Sequence, residues 1–273
     1  EESLEVTKIY SLTGNIPPGD SIIRHRPFRV SHHTSSRVGL IGGGSKPQSV
    51  FKLTPYLAHY FLDELPEFSR GTLEALRQPL EDGVVNITRA AGSVRFPAKF
   101  MLVAAANPCP CGFLGDPKRE CKCSPRQIMR YRAKLSGPLM DRIDIHINVP
   151  AVEVEKLVPV SAHSGAAAKT RPEKSEQIRK RVTVARKIQT RRFRKIPIYT
   201  NSRMRNRDVK EFCPLDRESL ALLKQAVNTY GLSARAYFRL IKISRTIADL
   251  TGEKNISVGH VAEALQYRVR VQG

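Results

Sequence analysis

The sequence predicts an α/β core followed by an all-α region. Two apolar runs carry the first half of that reading. Tyr60-Phe61-Leu62 leads straight into Asp63-Glu64-Leu65-Pro66, and Phe100 to Ala106 leads into Asn107-Pro108. Short apolar runs of this kind suit strands buried on both faces, as in a parallel sheet. The second half rests on residues 215–270. There Leu220, Leu222, Leu223 and Val227 are followed by Ile241, Ile243 and Ile247, then by Val261, Ala262 and Leu265. Their spacing is helical throughout, and a run of helices after strands reads as a second domain.

Taken in order, residues 1–20 open with a helical piece and close in the turn Ile16-Pro17-Pro18-Gly19. Arg24-His25-Arg26-Pro27-Phe28-Arg29, His32-His33-Thr34 and Gly42-Gly43-Gly44-Ser45-Lys46 follow. Adjacent histidines point in different directions, so hydrogen bonding or nucleic-acid contact fits them better than a shared metal. The glycines lack the G-x-x-x-x-G-K-[ST] spacing of a phosphate loop. They read as a flexible loop that carries Arg37 and Lys46 towards a partner. After the acidic strand end, Ser69 starts a helix with Leu73, Leu76 and Leu80 on one face. Asp82-Gly83 then turns the chain into a hairpin whose tip lies near residues 89–93, flanked by Arg89 and Arg95. Residues 126–134 read as a basic helix, and the alternation Ile145-His146-Ile147-Asn148-Val149 as a strand ended by Pro150. The expected domains are a core over 1–158, a Ser-, Gly- and Ala-rich linker over 159–172 and a helical domain over 173–273. Thr170-x-x-Glu173 is a capping-box start for the latter.

The charge narrows the partners. Lysines and arginines outnumber acids 46 to 25, a net charge of +21, which points to a polyanion and above all to nucleic acid. From Arg179 to Arg207 there are twelve Lys or Arg and no acid. No apolar run nears the roughly 18 residues of a membrane span. Four of the five cysteines fall within residues 109–123, which argues for a reduced, cytoplasmic protein rather than a disulfide framework. The chain opens Glu1-Glu2 rather than with methionine, and so reads as a piece of a longer polypeptide.

Two stretches carry chemistry. Ionised groups cannot stay unpaired inside a sheet, so Asp63 and Glu64 must emerge at its C-terminal edge, where open α/β sheets bind ligands. A first carboxylate there suits Mg²⁺, and a second suits polarising water for nucleotide hydrolysis. A solvated acidic turn fits the same residues. Asn107, ending the next buried strand, can reach the same ligand. Cys109, Cys111, Cys121 and Cys123 can close a tetrahedral Zn²⁺ site or stand as four reduced thiols. Cys213 reads as a small core residue.

Several stretches together resemble the magnesium-chelatase-related AAA+ ATPases, in their competence-protein ComM branch. They are Arg26-Pro27-Phe28-Arg29, His32-His33-Thr34, Phe61 to Arg70, Leu76 to Gly83, Asn107 to Gly112, Ser136-Gly137-Pro138-Leu139 and Asp141-Arg142-Ile143-Asp144. Leu232 to Tyr237 and Ala262 to Arg268 continue the match into the helical region. The resemblance implies an AAA+ P-loop-type parallel core and an all-α lid. It implies an ATPase using ATP and Mg²⁺ in a homo-oligomeric ring, a hexamer, that translocates on single-stranded or branched DNA as a helicase or branch-migration motor in natural transformation. Asp63 and Glu64 correspond to the Walker B pair, and Asn107 to the sensor-1 residue. Arg142 corresponds to an arginine finger acting on a neighbouring subunit, and Arg235 to the sensor-2 arginine. The hairpin with Arg89 and Arg95 and the segment with Arg37 and Lys46 resemble DNA-touching pore elements. No Walker A motif occurs in these residues, so this piece by itself is expected to be inactive. A magnesium-chelatase motor subunit and a non-catalytic nucleic-acid-binding module are the alternatives.

Overall fold

Pairing of short strands organises the first half of the chain. The computed structural model describes residues 2–12, 16, 19, 21–41, 58–89, 92–150 and 173–268. These fall into two units, Glu1–Ile143 and Asp144–Gly273. The first unit runs α1 (Glu2–Leu12), β1 (Phe28–Ser31), α2 (Arg37–Ile41), β2 (His59–Leu62), a 3₁₀ turn Leu65–Glu67, α3 (Arg70–Ala75) and α4 (Arg77–Asp82). It continues with β3 (Val84–Arg89), β4 (Gly92–Pro97), β5 (Met101–Ala104), α5 (Pro125–Arg132) and α6 (Gly137–Met140). Strands β1, β2 and β5 form a parallel sheet in that order, with β2 in the middle. The hairpin β3–β4 stands as a separate antiparallel pair.

Tyr60 and Leu62 of β2 point into a core with Leu40, Leu65, Phe68, Leu73, Leu76 and Leu139. The Tyr60 hydroxyl also bonds the Ser31 hydroxyl at 2.6 Å, which ties β1 to β2. Contrary to the expectation of burial on both faces, the opposite face is open. Register puts Phe28, Met101, Val30 and Val103 on it, and these are 63%, 55%, 61% and 40% exposed. Among the described residues, three four-residue strands make up this sheet, and the buried cluster lies on one of its faces.

Local chemistry sets the element ends. The Ser69 hydroxyl accepts from the Thr72 N–H at 3.2 Å and starts α3, as its sequence predicts. Gly83 ends α4 at φ 65°, a left-handed backbone that glycine adopts without strain. In the hairpin, Arg89 pairs with Gly92, and the connecting residues 90–91 lie outside the described residues. Arg37 does not ride on a loop: it opens α2, whose Leu40 is fully buried. Residues 145–149 form no strand. Ile145, Ile147 and Val149 are exposed, and no strand pairs with them among the described residues. The His146 N–H donates to the Tyr267 carbonyl at 2.8 Å, a single backbone contact rather than a strand ladder.

The second unit is helical: α7 (Ser175–Arg192), a 3₁₀ turn Asn201–Arg203, α8 (Asn206–Phe212), α9 (Arg217–Tyr230), α10 (Ala234–Thr251) and α11 (Val258–Gln266). The proposed linker over 159–172 and the cap residue Thr170 lie outside the described residues. Helix α7 instead starts after Lys174, whose N–H donates to the Gln177 side chain at 3.0 Å. Helix α10 runs through the core on Leu240, Ile241, Ile243 and Ile247. Cys213 is buried in the same cluster, as expected, and burial pushes its thiol up to about 11. The polar centre of this unit is Asp249. It accepts from Arg192 at 2.7 and 2.5 Å, from Asn201 at 2.8 Å and from Arg245 at 3.1 Å. Arg245 also donates to the Lys254 and Glu253 carbonyls at 2.7 and 2.6 Å. Removing one partner from such a buried set costs about 3–5 kcal/mol, because the rest is left uncompensated.

Candidate active site

Parallel register gathers the chemistry at one edge. Ser31, Leu62 and Ala104 stand abreast at the strand ends. The pairing then runs one step further, as the Ala105 N–H donates to the Leu62 carbonyl and the Leu65 N–H to the Ala105 carbonyl, both at 2.9 Å. Asp63 and Glu64 therefore leave the sheet between two fixed backbone contacts, and both are exposed. Asn107 follows Ala105 by two residues on the neighbouring strand and is exposed at the same edge. The edge thus assembles the carboxylate pair and the amide that the sequence singles out.

Glu64 has φ 51° and is the one described non-glycine residue with positive φ. A left-handed backbone costs a side-chain-bearing residue about 1–2 kcal/mol. Hydrogen bonds hold it there: Glu64 N–H donates to Asp63 Oδ1 at 2.9 Å, and Glu67 N–H to the Glu64 carbonyl at 2.7 Å. The carboxylate meets a residue that sequence reasoning left unassigned. His33, two residues beyond β1, places Nδ1 3.0 Å from Glu64 Oε2. The adjacent histidines are the signal for it, read correctly as hydrogen-bonding groups but without their target. Tyr131 of α5 is a second omission. Burial pushes its phenol up, Glu67, Glu64 and Cys109 add to this, and the Asn107 backbone pulls the other way. Tyr131 thus connects the helix after the cysteine loop to the start of the Asn107 loop.

The cysteines begin two residues after Asn107. Their sulfurs lie within 4.8 Å of one another. Cys109 is 3.4 Å from Cys111, and each is 3.6 Å from Cys121. A tetrahedron with Zn–S of about 2.3 Å has edges of about 3.8 Å, so the donor set and its spacing fit one ion. The Phe113 N–H brings the Cys111 thiol down to about 6. For Cys121 the Cys123 N–H acts in the same sense, but burial and the three neighbouring sulfurs prevail and push it up to about 12. Burial is also the largest influence raising Cys123.

The remaining candidates are dispersed. Arg142 is only 8% exposed in its side chain; it pairs with Glu81 and donates to the Pro138 carbonyl at 2.5 Å. Arg235 is exposed on the first turn of α10, behind the Ser233 cap. Arg95 and Arg37 are exposed, Arg89 sits at the end of β3, and Lys46 lies outside the described residues. The basic stretch is less uniform than its composition implies. Lys180 pairs with Glu176 at 2.8 Å, Arg181 with Glu173 at 2.9 Å, and Arg192 is taken up by Asp249. Arg179, Lys187, Arg191, Arg194, Lys195, Arg203 and Arg205 are exposed. No helix among the described residues is long and apolar enough to cross a membrane.

Comparison with known proteins fits this architecture. The family described as magnesium chelatase, subunit ChlI, matches residues 1–157. The family described as magnesium chelatase, subunit ChlI C-terminal, matches residues 172–268. The competence protein ComM of Haemophilus influenzae is 46% identical over 252 residues, which is 91% of this chain and 46% of the relative. The uncharacterized protein YifB of Salmonella typhimurium is 38% identical, over 98% of this chain and 50% of the relative. The uncharacterized protein Mb2921c of Mycobacterium bovis is 36% identical, over 98% and 51%. The chain spans about half the length of the curated relatives it matches. One model takes the sheet-bearing residues and the other the helical ones, so the chain belongs to the magnesium chelatase subunit ChlI family and carries its AAA+ core and helical lid.

Proposed function

We propose that the chain is the hydrolytic core and lid of a ring-forming ATPase that moves on DNA. The observation that carries this reading is the edge at which Asp63, Glu64 and Asn107 leave adjacent strands. Asp63 would hold Mg²⁺ there. Glu64 accepts a proton from the attacking water, and the Asn107 amide orients that water; ATP supplies the phosphoryl group. Arg142 serves a neighbouring subunit's nucleotide in a hexameric ring, and Arg235 serves from the lid. Cys109, Cys111, Cys121 and Cys123 would hold one Zn²⁺, which would fix the loop that follows Asn107.

The charge of +21 and a relative named for competence support DNA over a porphyrin-loading partner. A branched or single-stranded substrate, as in branch migration during transformation, is the proposed setting. The G-x-x-x-x-G-K-[ST] motif does not occur in these 273 residues, so turnover is a property to be measured in the full-length protein. There, Glu64→Gln is expected to retain nucleotide binding while steady-state ATP hydrolysis falls on the order of 10²-fold or more. Unchanged turnover in that variant overturns the reading.

A further inference from the structure

We infer that the exposed face of α5, with the cysteine loop that leads into it, is a docking surface for single-stranded nucleic acid, separate from the hairpin that carries Arg89 and Arg95. The inference rests on the reading of the chain as a DNA-acting protein. Residues 109–134 hold seven Lys or Arg against two acids. One of those acids, Asp116, is engaged by its own loop: its Oδ1 accepts from the Lys118 and Arg119 N–H groups at 2.7 and 3.1 Å. Lys118, Lys122, Arg126 and Arg130 are all exposed. Lys134, by contrast, pairs with Glu67 at 3.2 Å. No acid stands in the first turn of α5. Arg126 lies there, at the positive end of the helix, and Arg130 repeats its charge one turn later. Both placements disfavour the helix itself. A polyanion lying on this face relieves both conflicts.

Charge does not stand alone on this face. Pro125, Ile128, Met129 and Ala133 line an open groove of about 600 Å³, together with Arg132. Met129 is 71% exposed. A duplex offers a surface helix mainly phosphates, whereas a single strand also offers the faces of its unstacked bases. Cations beside an apolar groove match the single strand. The platform is firm. Ser124 N–H donates to the Gln127 side chain at 2.8 Å, and Gln127 N–H donates back to the Ser124 hydroxyl at 3.3 Å, which caps α5. Tyr131 is buried and seats the helix in the protein. The four sulfurs gather within 4.8 Å of one another directly before the cap, and Lys122 lies between two of the cysteines. The cysteine loop and the helix therefore present their cations from one fixed piece.

Fluorescence anisotropy of a labelled oligothymidine strand, titrated with the full-length protein over a range of salt, tests this surface. Arg126→Ala combined with Arg130→Ala is expected to make the log–log salt slope shallower by about 1.4, two contacts at about 0.7 each. The same pair changed to lysine keeps the charge and should keep the parent's slope. Met129→Ser should weaken binding about 4- to 15-fold at every salt concentration, the worth of one or two buried methylenes, with the slope unchanged. A parent-like slope in the alanine pair overturns the inference. So does a lysine pair as shallow as the alanine pair, or parent affinity in Met129→Ser. Two rival partners are measured alongside. An alanine pair that binds the strand normally but no longer sediments with phosphatidylserine vesicles assigns the face to a membrane. One that binds normally but lowers the oligomeric state in sedimentation velocity assigns it to a second copy of the chain. Either result overturns the inference. If the parent itself does not bind the strand, the DNA reading falls together with this site. If the parent binds and the variants match it, only this site is lost.

Discussion

At the scale of single residues, the site turns on how a few side chains are held. Glu64 is held in a strained backbone by its neighbours, and its carboxylate meets a histidine from the adjacent strand. Arg142 is held too, but by Glu81 and a carbonyl of the helix that precedes it. A finger in trans must leave that pairing when a neighbouring subunit presents its nucleotide. Arg142→Ala is therefore expected to leave nucleotide binding intact and to cut hydrolysis by roughly 10³-fold or more. Mixing it with Glu64→Gln subunits should restore part of the activity, because a shared interface then contains one intact arginine and one intact base. Mixed rings without any recovery, in a steady-state ATPase assay, would place Arg142 in a structural or same-subunit role. The position of Asp63 and Glu64 at a sheet edge was legible in the sequence, because ionised groups that end an apolar strand must leave the sheet there, whether as a site or as a solvated acidic turn. His33 was legible as a hydrogen-bonding residue but not as the partner of Glu64. That pairing depends on β1 lying beside β2, and β1 has four residues, two of them exposed apolar ones that give no buried-strand signal.

At the scale of elements, the cysteine loop joins two parts of the site. Cys109 follows Asn107 by two residues, and α5 after the loop returns Tyr131 to the Asn107 backbone. Bound metal would close this loop with one tetrahedral node. Protein purified without added zinc is expected to carry about one equivalent by elemental analysis, and Cys121→Ser with Cys123→Ser should lose it. Less than half an equivalent in the parent, or no drop in the variant, favours four plain thiols. The loop's spacing was readable, since four thiols within fifteen residues can meet without help from the rest of the fold. Residues 145–149 show the opposite case. Their alternation is as regular as that of a strand, yet a ladder needs a partner, and periodicity alone does not reveal its absence.

At the scale of the whole molecule, charge is the dominant property. Forty-six cations against twenty-five acids predict binding to single-stranded DNA with little sequence preference. The log–log salt slope is expected to be steep, roughly −0.7 per phosphate contact. With no tryptophan in the chain, base stacking is a minor contribution. Arg95→Ala should reduce the slope by about one contact if the hairpin lies on the strand. Arg192→Ala is not a valid probe, because its guanidinium belongs to the Asp249 centre and its loss disturbs the helical core. Binding that is insensitive to salt in fluorescence anisotropy titrations would assign the basic excess to an acidic protein partner instead. The two-part architecture was visible in the sequence as a change of period. The commitment of Arg192 was not, because its partner lies 57 residues away.

The open face of the parallel sheet has a colloidal consequence. Phe28, Val30, Met101 and Val103 form an oily strip on a molecule whose like charges oppose unspecific contact between its copies. Salt removes that protection: at 1 M the screening length shrinks to about 3 Å, shorter than a side chain. An ionic strength high enough to strip nucleic acid from a chain of this charge is thus also expected to let its copies adhere to one another, and a moderate-salt wash with a nuclease is expected to be the gentler route to clean protein.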